Sequence, residues 1–168
     1  QSTETSLPEG TRKEDFDKDS VLSRFDYQLK SSGINTNHTL HPDFSWSSSD
    51  ISQIKSYYQL DKYILLFPFC SPHLTSKKWP YYNELISMID EKSDNKFKVV
   101  VAPGPNEIKE ASNINALCIL DNGKALDISQ LAALIKDSSF VVANDTGPAH
   151  MTAHLGSKGI ALFGSHTT

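Results

Sequence analysis

At 168 residues, with 38% hydrophobic and 21% charged side chains, the chain suits one globular core, or one domain with an appended piece. Its formal net charge of −4 offers no basic surface for nucleic acid, and its two cysteines, Cys70 and Cys118, have neither disulfide-framework nor zinc-site spacing. No apolar run approaches the roughly 20 residues that span a bilayer, and both cysteines read as small apolar residues compatible with a reducing cytoplasm.

Residues 1–19 are polar, lack a hydrophobic signal segment and are expected to be flexible. Val21, Leu22, Phe25 and Leu29 follow at helical spacing, with Gly33 as a C-terminal cap. Asn35 to Ser49 is a polar connector containing Pro42, Phe44 and Trp46. Asp50 to Leu60 reads as a short helix with Ile51, Ile54 and Tyr58 on one face.

From Lys62 onward the pattern changes. Continuous apolar runs at 63–67, 97–102, 116–120, 140–143 and 160–163 predict five strands covered on both faces, as in a parallel sheet. Helices are expected between them. Pro80 stands at a first helical position before Leu85, Ile86 and Ile89, and Asp127-x-x-Gln130 has the form of a capping box before Leu131, Leu134 and Ile135. Pro148 opens a last helix that Gly156 closes. The alternation predicts an α/β domain on a parallel sheet. The chain starts without Met and stops just after an apolar run, which reads as a piece of something longer.

Ligands of open parallel sheets bind beyond the carboxyl ends of the strands, so the turns after the apolar runs are the places for chemistry. After the fourth run stands Asn144-Asp145-Thr146-Gly147-Pro148-Ala149-His150. A helix starting there offers free N–H groups and a dipole to an anion, Gly147 admits a phosphate close to the backbone, and Asp145 and His150 can face the same ligand; a capped helix with no ligand explains the same residues. The turn after the first run holds Ser71, His73, Thr75, Ser76, Lys77, Lys78 and Trp79, whose hydroxyls and ammoniums suit a diphosphate or simply a solvated loop. After the second, Glu107 in Pro103-Gly104-Pro105-Asn106-Glu107 can accept from a ribose or sit on a surface turn. His150 and His154 are four apart but lack a third ligand, so no metal is expected. The absence of G-x-G-x-x-G, G-x-x-x-x-G-K-[ST] and G-x-S-x-G counts against dinucleotide dehydrogenases, P-loop NTPases and α/β-hydrolases. The sequons Asn37-His38-Thr39 and Asn144-Asp145-Thr146 have no secretory context.

Taken together and in this order, Pro68-Phe69-Cys70-Ser71, Lys77-Lys78-Trp79-Pro80, Pro103 to Glu107, Asn144 to His150 and Leu162-Phe163-Gly164 resemble the heptosyltransferase family (glycosyltransferase family 9) over about residues 60–168. Pro42-Asp43-Phe44-Ser45-Trp46 adds a weaker likeness. The resemblance implies the C-terminal half of a GT-B glycosyltransferase, a Rossmann-like parallel sheet flanked by helices that holds the nucleotide-sugar. It divides the chain into a flexible segment (1–19), the tail of an N-terminal domain with its linker (20–60) and a donor domain (61–168) truncated at its C-terminus. By position, Ser71, Thr75, Ser76 and Lys77 would hold the donor diphosphate with the Thr146 and Gly147 amides. Asp145 would contact the transferred sugar with His150 behind it, Glu107 the ribose, and Leu126 and Val142 the base. Lys77 and Asp145 are the residues expected to act in catalysis, Lys77 by stabilising the departing diphosphate.

The implied reaction is inverting, metal-independent transfer of heptose from an ADP-sugar to a lipopolysaccharide core acceptor, without a cofactor. Cytoplasmic location, peripheral to the inner membrane, goes with it. Two departures stand out: Phe69 replaces the family's Gly and would crowd a phosphate-facing loop, and the catalytic Asp of the N-terminal domain has no counterpart here. The chain is therefore expected to bind donor without turning it over. The alternatives are a non-catalytic nucleotide-sugar-binding module, or a GT-B transferase or epimerase that uses a UDP- or GDP-sugar.

Overall fold

The computed structural model describes residues 7–37 and 44–164. Pro42 and Asp43 of the connector, His38 and Thr39 of the first sequon, and residues 165–168 lie outside the described residues. The chain divides into two compact units, Gln1–Pro42 and Asp43–Thr168.

The first unit carries α1 (Lys13–Phe16) and α2 (Val21–Ser31), so within 7–19 there is a short helix where only a flexible segment was expected. Phe16 supplies the reason: it is buried, its ring edge-on to Tyr27 at 5.8 Å. Short-range ion pairs such as Lys13–Asp17 (2.7 Å) flank it. Ser20 caps α2 by accepting from the Ser23 amide, and Gly33 follows the helix end at φ +74°.

The second unit begins with a one-turn 3-10 helix (Ser45–Ser47) and α3 (Ser52–Tyr58). The Asp50 carboxylate accepts from the Ser52 amide at 2.8 Å, and Gln59 ends α3 in the left-handed region. Then come β1 (Tyr63–Phe67), a 3-10 turn (Thr75–Lys77), α4 (Tyr82–Ser93), β2 (Lys98–Val101), α5 (Ile108–Ala111), β3 (Leu117–Cys118), α6 (Ile128–Asp137), β4 (Phe140–Asn144), α7 (Gly147–His154) and β5 (Gly159–Leu162). The sheet order is β3-β2-β1-β4-β5 and every pairing is parallel. All five apolar runs form strands.

Side chains alternate across a strand, and here both faces are covered. Tyr63, Leu65, Phe67, Val100, Val141 and Ala143 pack with Ile51 just before α3, Ile54 within it and Ala133 to Ile135 of α6. Leu66, Val99, Val101 and Val142 pack with Tyr82 and Ile86 of α4. Ile51, Ile54 and Leu60 thus belong to the core of the sheet. At β5, a Cβ on Gly159 would stand 2.8 Å from the Val141 carbonyl oxygen, so only glycine allows the strands this approach.

Two local expectations shift. Pro80 precedes α4, which starts at Tyr82; the first helical bond runs from the Leu85 amide to the Tyr81 carbonyl, and upstream of it the Trp79 amide donates to Asn144 Oδ1. The third strand is only two residues long. Beyond it the Tyr58 hydroxyl serves both the amide and the carbonyl of Leu120, at 3.1 Å each, in place of a strand neighbour. The capping box of α6 is present as expected: Asp127 accepts from the Gln130 amide (2.8 Å) and Gln130 Oε1 accepts from the Asp127 amide (3.0 Å).

Candidate functional site

In this strand order the chain leaves β1 toward β2 and β3, then returns to the other side of β1 as β4. The turns after β1 and β4 therefore diverge at a topological switch point, where a crevice opens beyond the carboxyl ends. A cavity of about 290 Å³ lies there. Phe67, Phe69 and Ser71 line it from β1, Ala102 to Gly104 and Glu107 from β2, Leu126 and Leu131 from the α6 side, and Thr146 to Pro148 from the start of α7.

Of the residues expected at a ligand, Ser71, Glu107, Leu126, Thr146 and Gly147 thus meet on one cavity wall. Lys77, Asp145 and His150 form a polar cluster next to it in sequence. Lys77 Nζ is 2.6 Å from Asp145 Oδ2 and 3.2 Å from the Asp145 carbonyl, and His150 Nε2 is 3.9 Å from Asp145 Oδ1. Thr75 and Ser76 are exposed in the 3-10 turn, outside the cavity lining. Val142 is buried in the core beside α4, also outside it.

Thr146 is the N-cap residue of α7, but its hydroxyl donates to the Asn144 carbonyl (3.2 Å) and does not cap the helix. The first intrahelical bond is Ala149 N–H to Thr146 O, so the amide of Gly147 precedes the bonded turn. A Cβ on Gly147 would meet nothing within 4 Å, and its φ is not left-handed. Neither packing nor backbone conformation requires glycine there. Gly104 differs: its amide donates to Glu107 Oε2 at 2.8 Å, and an added Cβ would stand 3.1 Å from that oxygen. Glu107 is held toward the cavity by this bond.

The model of glycosyltransferase family 9 (heptosyltransferase) matches residues 11–168. The chain belongs to glycosyltransferase family 9. The family 9 protein of Veillonella parvula DSM 2008 has a similar fold, with a TM-score of 0.66 and 22% identity over 92% of this chain and 46% of that one. The E. coli heptosyltransferase WaaC with ADP has a TM-score of 0.51 at 20% identity, over 82% of this chain and 43% of WaaC. WaaC with ADP-2-deoxy-2-fluoro heptose gives 0.53 and 20%, over 86% and 45%. This family 9 chain spans less than half the length of these solved relatives. No curated protein matches it.

Within the family 9 fold, the residue that sequence reasoning passed over is Asn144. It is fully buried at the end of β4. Its Nδ2 donates to the Pro68 carbonyl (3.0 Å), and its Oδ1 accepts from the Trp79 amide (3.3 Å) and faces the Tyr82 hydroxyl at 3.1 Å. Tyr82 also lies 3.2 Å from the Phe67 carbonyl, and burial pushes its hydroxyl well above the ordinary tyrosine range, which keeps it a neutral donor. One side chain thereby ties β4 to the β1 turn and to the entry of α4. The signal was a polar residue closing an apolar strand, since a buried amide needs partners.

Lys78 pairs with Glu110 of α5, so the two consecutive lysines fasten the β1 turn in different directions. Phe69 does not stand free in the turn; it is buried with Tyr82 and Ile86 while forming part of the cavity wall. His154 lies against the Phe44 ring at 5.4 Å. Among the described residues no group of three or more His, Cys, Asp or Glu is arranged to hold a metal ion, and no helix is long and apolar enough to cross a membrane.

Proposed function

We propose that this family 9 chain is the donor-binding domain of an inverting glycosyltransferase that moves a heptose from an ADP-sugar to a lipopolysaccharide core acceptor. The observation that carries this reading is the convergence of Ser71, Glu107, Thr146 and Gly147 on one cavity at the switch point, with Lys77 and Asp145 paired beside Thr146. Glycine at Gly147, which the fold itself does not require, makes room for a phosphate at the first turn of α7.

In this reading the diphosphate lies against Ser71 and the α7 amides with Lys77 as its cation, Glu107 accepts from the ribose hydroxyls, and Leu126 lies beside the base. Asp145 accepts from hydroxyls of the transferred sugar, with His150 behind it. As the glycosidic bond breaks, charge gathers on the departing diphosphate, where an ammonium and a helix N-terminus stabilise it without a metal. The acceptor and the attacking base belong to a second domain. The location that goes with a lipid-linked acceptor is the cytoplasmic face of the inner membrane. The crystallised WaaC complexes with ADP and with ADP-2-deoxy-2-fluoro heptose favour an adenosine diphosphate donor.

Calorimetric titration of the chain with ADP, UDP and GDP, without added metal, tests the proposal. Preferential binding of ADP is expected. Preference for UDP or GDP would overturn the heptose assignment, and no binding of any of the three would overturn a donor site in this chain.

A further inference from the structure

The pairing of Lys77 raises a question of charge. Its ammonium is 2.6 Å from the Asp145 carboxylate and 3.2 Å from the Asp145 carbonyl, and the two side chains are only 22% and 14% exposed. Lys78 offers no substitute, because it is paired with Glu110. His150 approaches the other Asp145 oxygen at 3.9 Å, but it is 72% exposed and its charge depends on protonation. Among the described residues, Lys77 is therefore the one permanent cation within ion-pair distance of Asp145. An anion arriving at the start of α7 meets a lysine already committed and a carboxylate one residue from the cavity wall.

Two anions now share one ammonium. A terminal phosphate carries about −1.5 to −2 charge near neutral pH, whereas a phosphate esterified on both sides carries about −1. Free nucleoside diphosphate therefore brings more negative charge toward Asp145 than the same diphosphate esterified to a sugar. It also brings no hydroxyl at that end. A sugar there offers O–H donors, which a carboxylate accepts well. In a partly buried site, little solvent intervenes to screen the difference.

Resting on the donor-site reading above, we propose that Asp145 is a specificity-determining counterion that ranks sugar-bearing nucleoside diphosphate above free nucleoside diphosphate by contesting Lys77. In the empty site it holds Lys77. When a sugar-bearing diphosphate enters, the carboxylate takes the sugar hydroxyls and the ammonium turns to the phosphates. When the diphosphate carries no sugar, carboxylate and terminal phosphate oppose each other, Lys77 is drawn back to Asp145, and the nucleotide is released. Because Asp145 belongs to the residue pair at the site itself, the discrimination needs no moving domain.

The test is calorimetric titration of the whole 168-residue chain with ADP and with ADP-heptose at one ionic strength. Wild type, Asp145→Asn, Lys77→Met and the double variant are compared, with Asp145→Ser as a second neutral replacement should the asparagine variant fold poorly. Removing the carboxylate is expected to tighten ADP about tenfold, the scale of one poorly screened charge pair, without tightening ADP-heptose. In the Lys77→Met background that gain should shrink, because no cation is left to contest and only the direct repulsion between carboxylate and terminal phosphate remains to be relieved. If wild type binds both ligands and neutral replacements leave ADP unchanged or weaker, the counterion role is overturned and the donor site stands. An equal gain for both ligands also overturns it. If wild type binds neither ligand, the donor-site reading and the counterion role fall together.

Discussion

The turn after β3 and the turns after β1 and β4 leave the same sheet in the same direction, yet they satisfy their polar groups in opposite ways. Asp121 to Lys124 is bonded mainly within itself: the Asp121 amide and the Lys124 carbonyl pair at 2.8 Å, Asn122 Nδ2 donates to Asp121, and Asn122 and Gly123 take left-handed φ values of 49° and 78°, with Gln130 Nε2 of α6 adding one bond to Asp121 Oδ2 at 2.8 Å. The β1 and β4 turns instead bond to each other across long stretches of chain, through Asn144 with Pro68 and Trp79, and through Lys77 with Asp145. A turn bonded mostly within itself is shaped mostly by local chemistry. A site assembled from distant segments needs buried polar ties, and these leave cations and amides arranged around open space.

The strongest way to break this comparison is Asn144→Leu. It leaves the Trp79 amide and the Pro68 carbonyl without their buried partner, and each such group costs about 1–3 kcal/mol. A loss near 3 kcal/mol in urea unfolding is expected; a loss below 1 kcal/mol would mean that Asn144 does not hold the site together. Next comes Lys77→Ala, which should weaken ADP binding about tenfold (~1.4 kcal/mol) while barely changing adenosine binding. Equal weakening of both ligands, read by calorimetry, would remove Lys77 from the diphosphate.

The local turn should respond less. Gly123→Ala puts a side chain into open space but at φ +78°, so only backbone strain acts and about 1 kcal/mol of stability should go, with ADP binding unchanged. A change in ADP affinity would tie that turn to the site after all. The smallest effect is expected at Asp127, whose carboxyl is held below the usual carboxylate range by the Gln130 amide and the Ser129 hydroxyl. A lowered folded-state pKa means that its contribution is present above the ordinary carboxylate value and fades as pH falls through the folded-state value. Urea midpoints for Asp127→Ala and wild type should therefore differ at pH 7, and the gap should narrow as pH falls below the ordinary carboxylate range; a gap unchanged in acid would contradict a charged cap.

Much of this architecture was legible because it is local or periodic. Five apolar runs form the five strands, and the capping box at Asp127 and Gln130 and the left-handed Gly33 and Gly156 fall where sequence rules put them. What escaped was long-range. Nothing near Pro80 says that Trp79 is tied to Asn144, and nothing near Leu120 says that the Tyr58 hydroxyl bonds to its backbone. The candidate residues on the turns were read from their types and order, whereas the partners that hold those turns, Asn144 and Glu110, show their role only when segments tens of residues apart are brought together. Val142 illustrates the converse: an apolar residue two positions before the motif, whose side chain the strand's alternation turns into the core.

The most direct test of the account is an amide-resolved NMR titration of the chain with ADP. Binding at the switch point predicts that the amides of Ser71, Gly104, Thr146 and Gly147 shift together along one saturation curve, while those of Asn122 and Gly123 stay in place. Shifts confined to the Asp121–Lys124 turn, or none at the ends of β1 and β4, would contradict it.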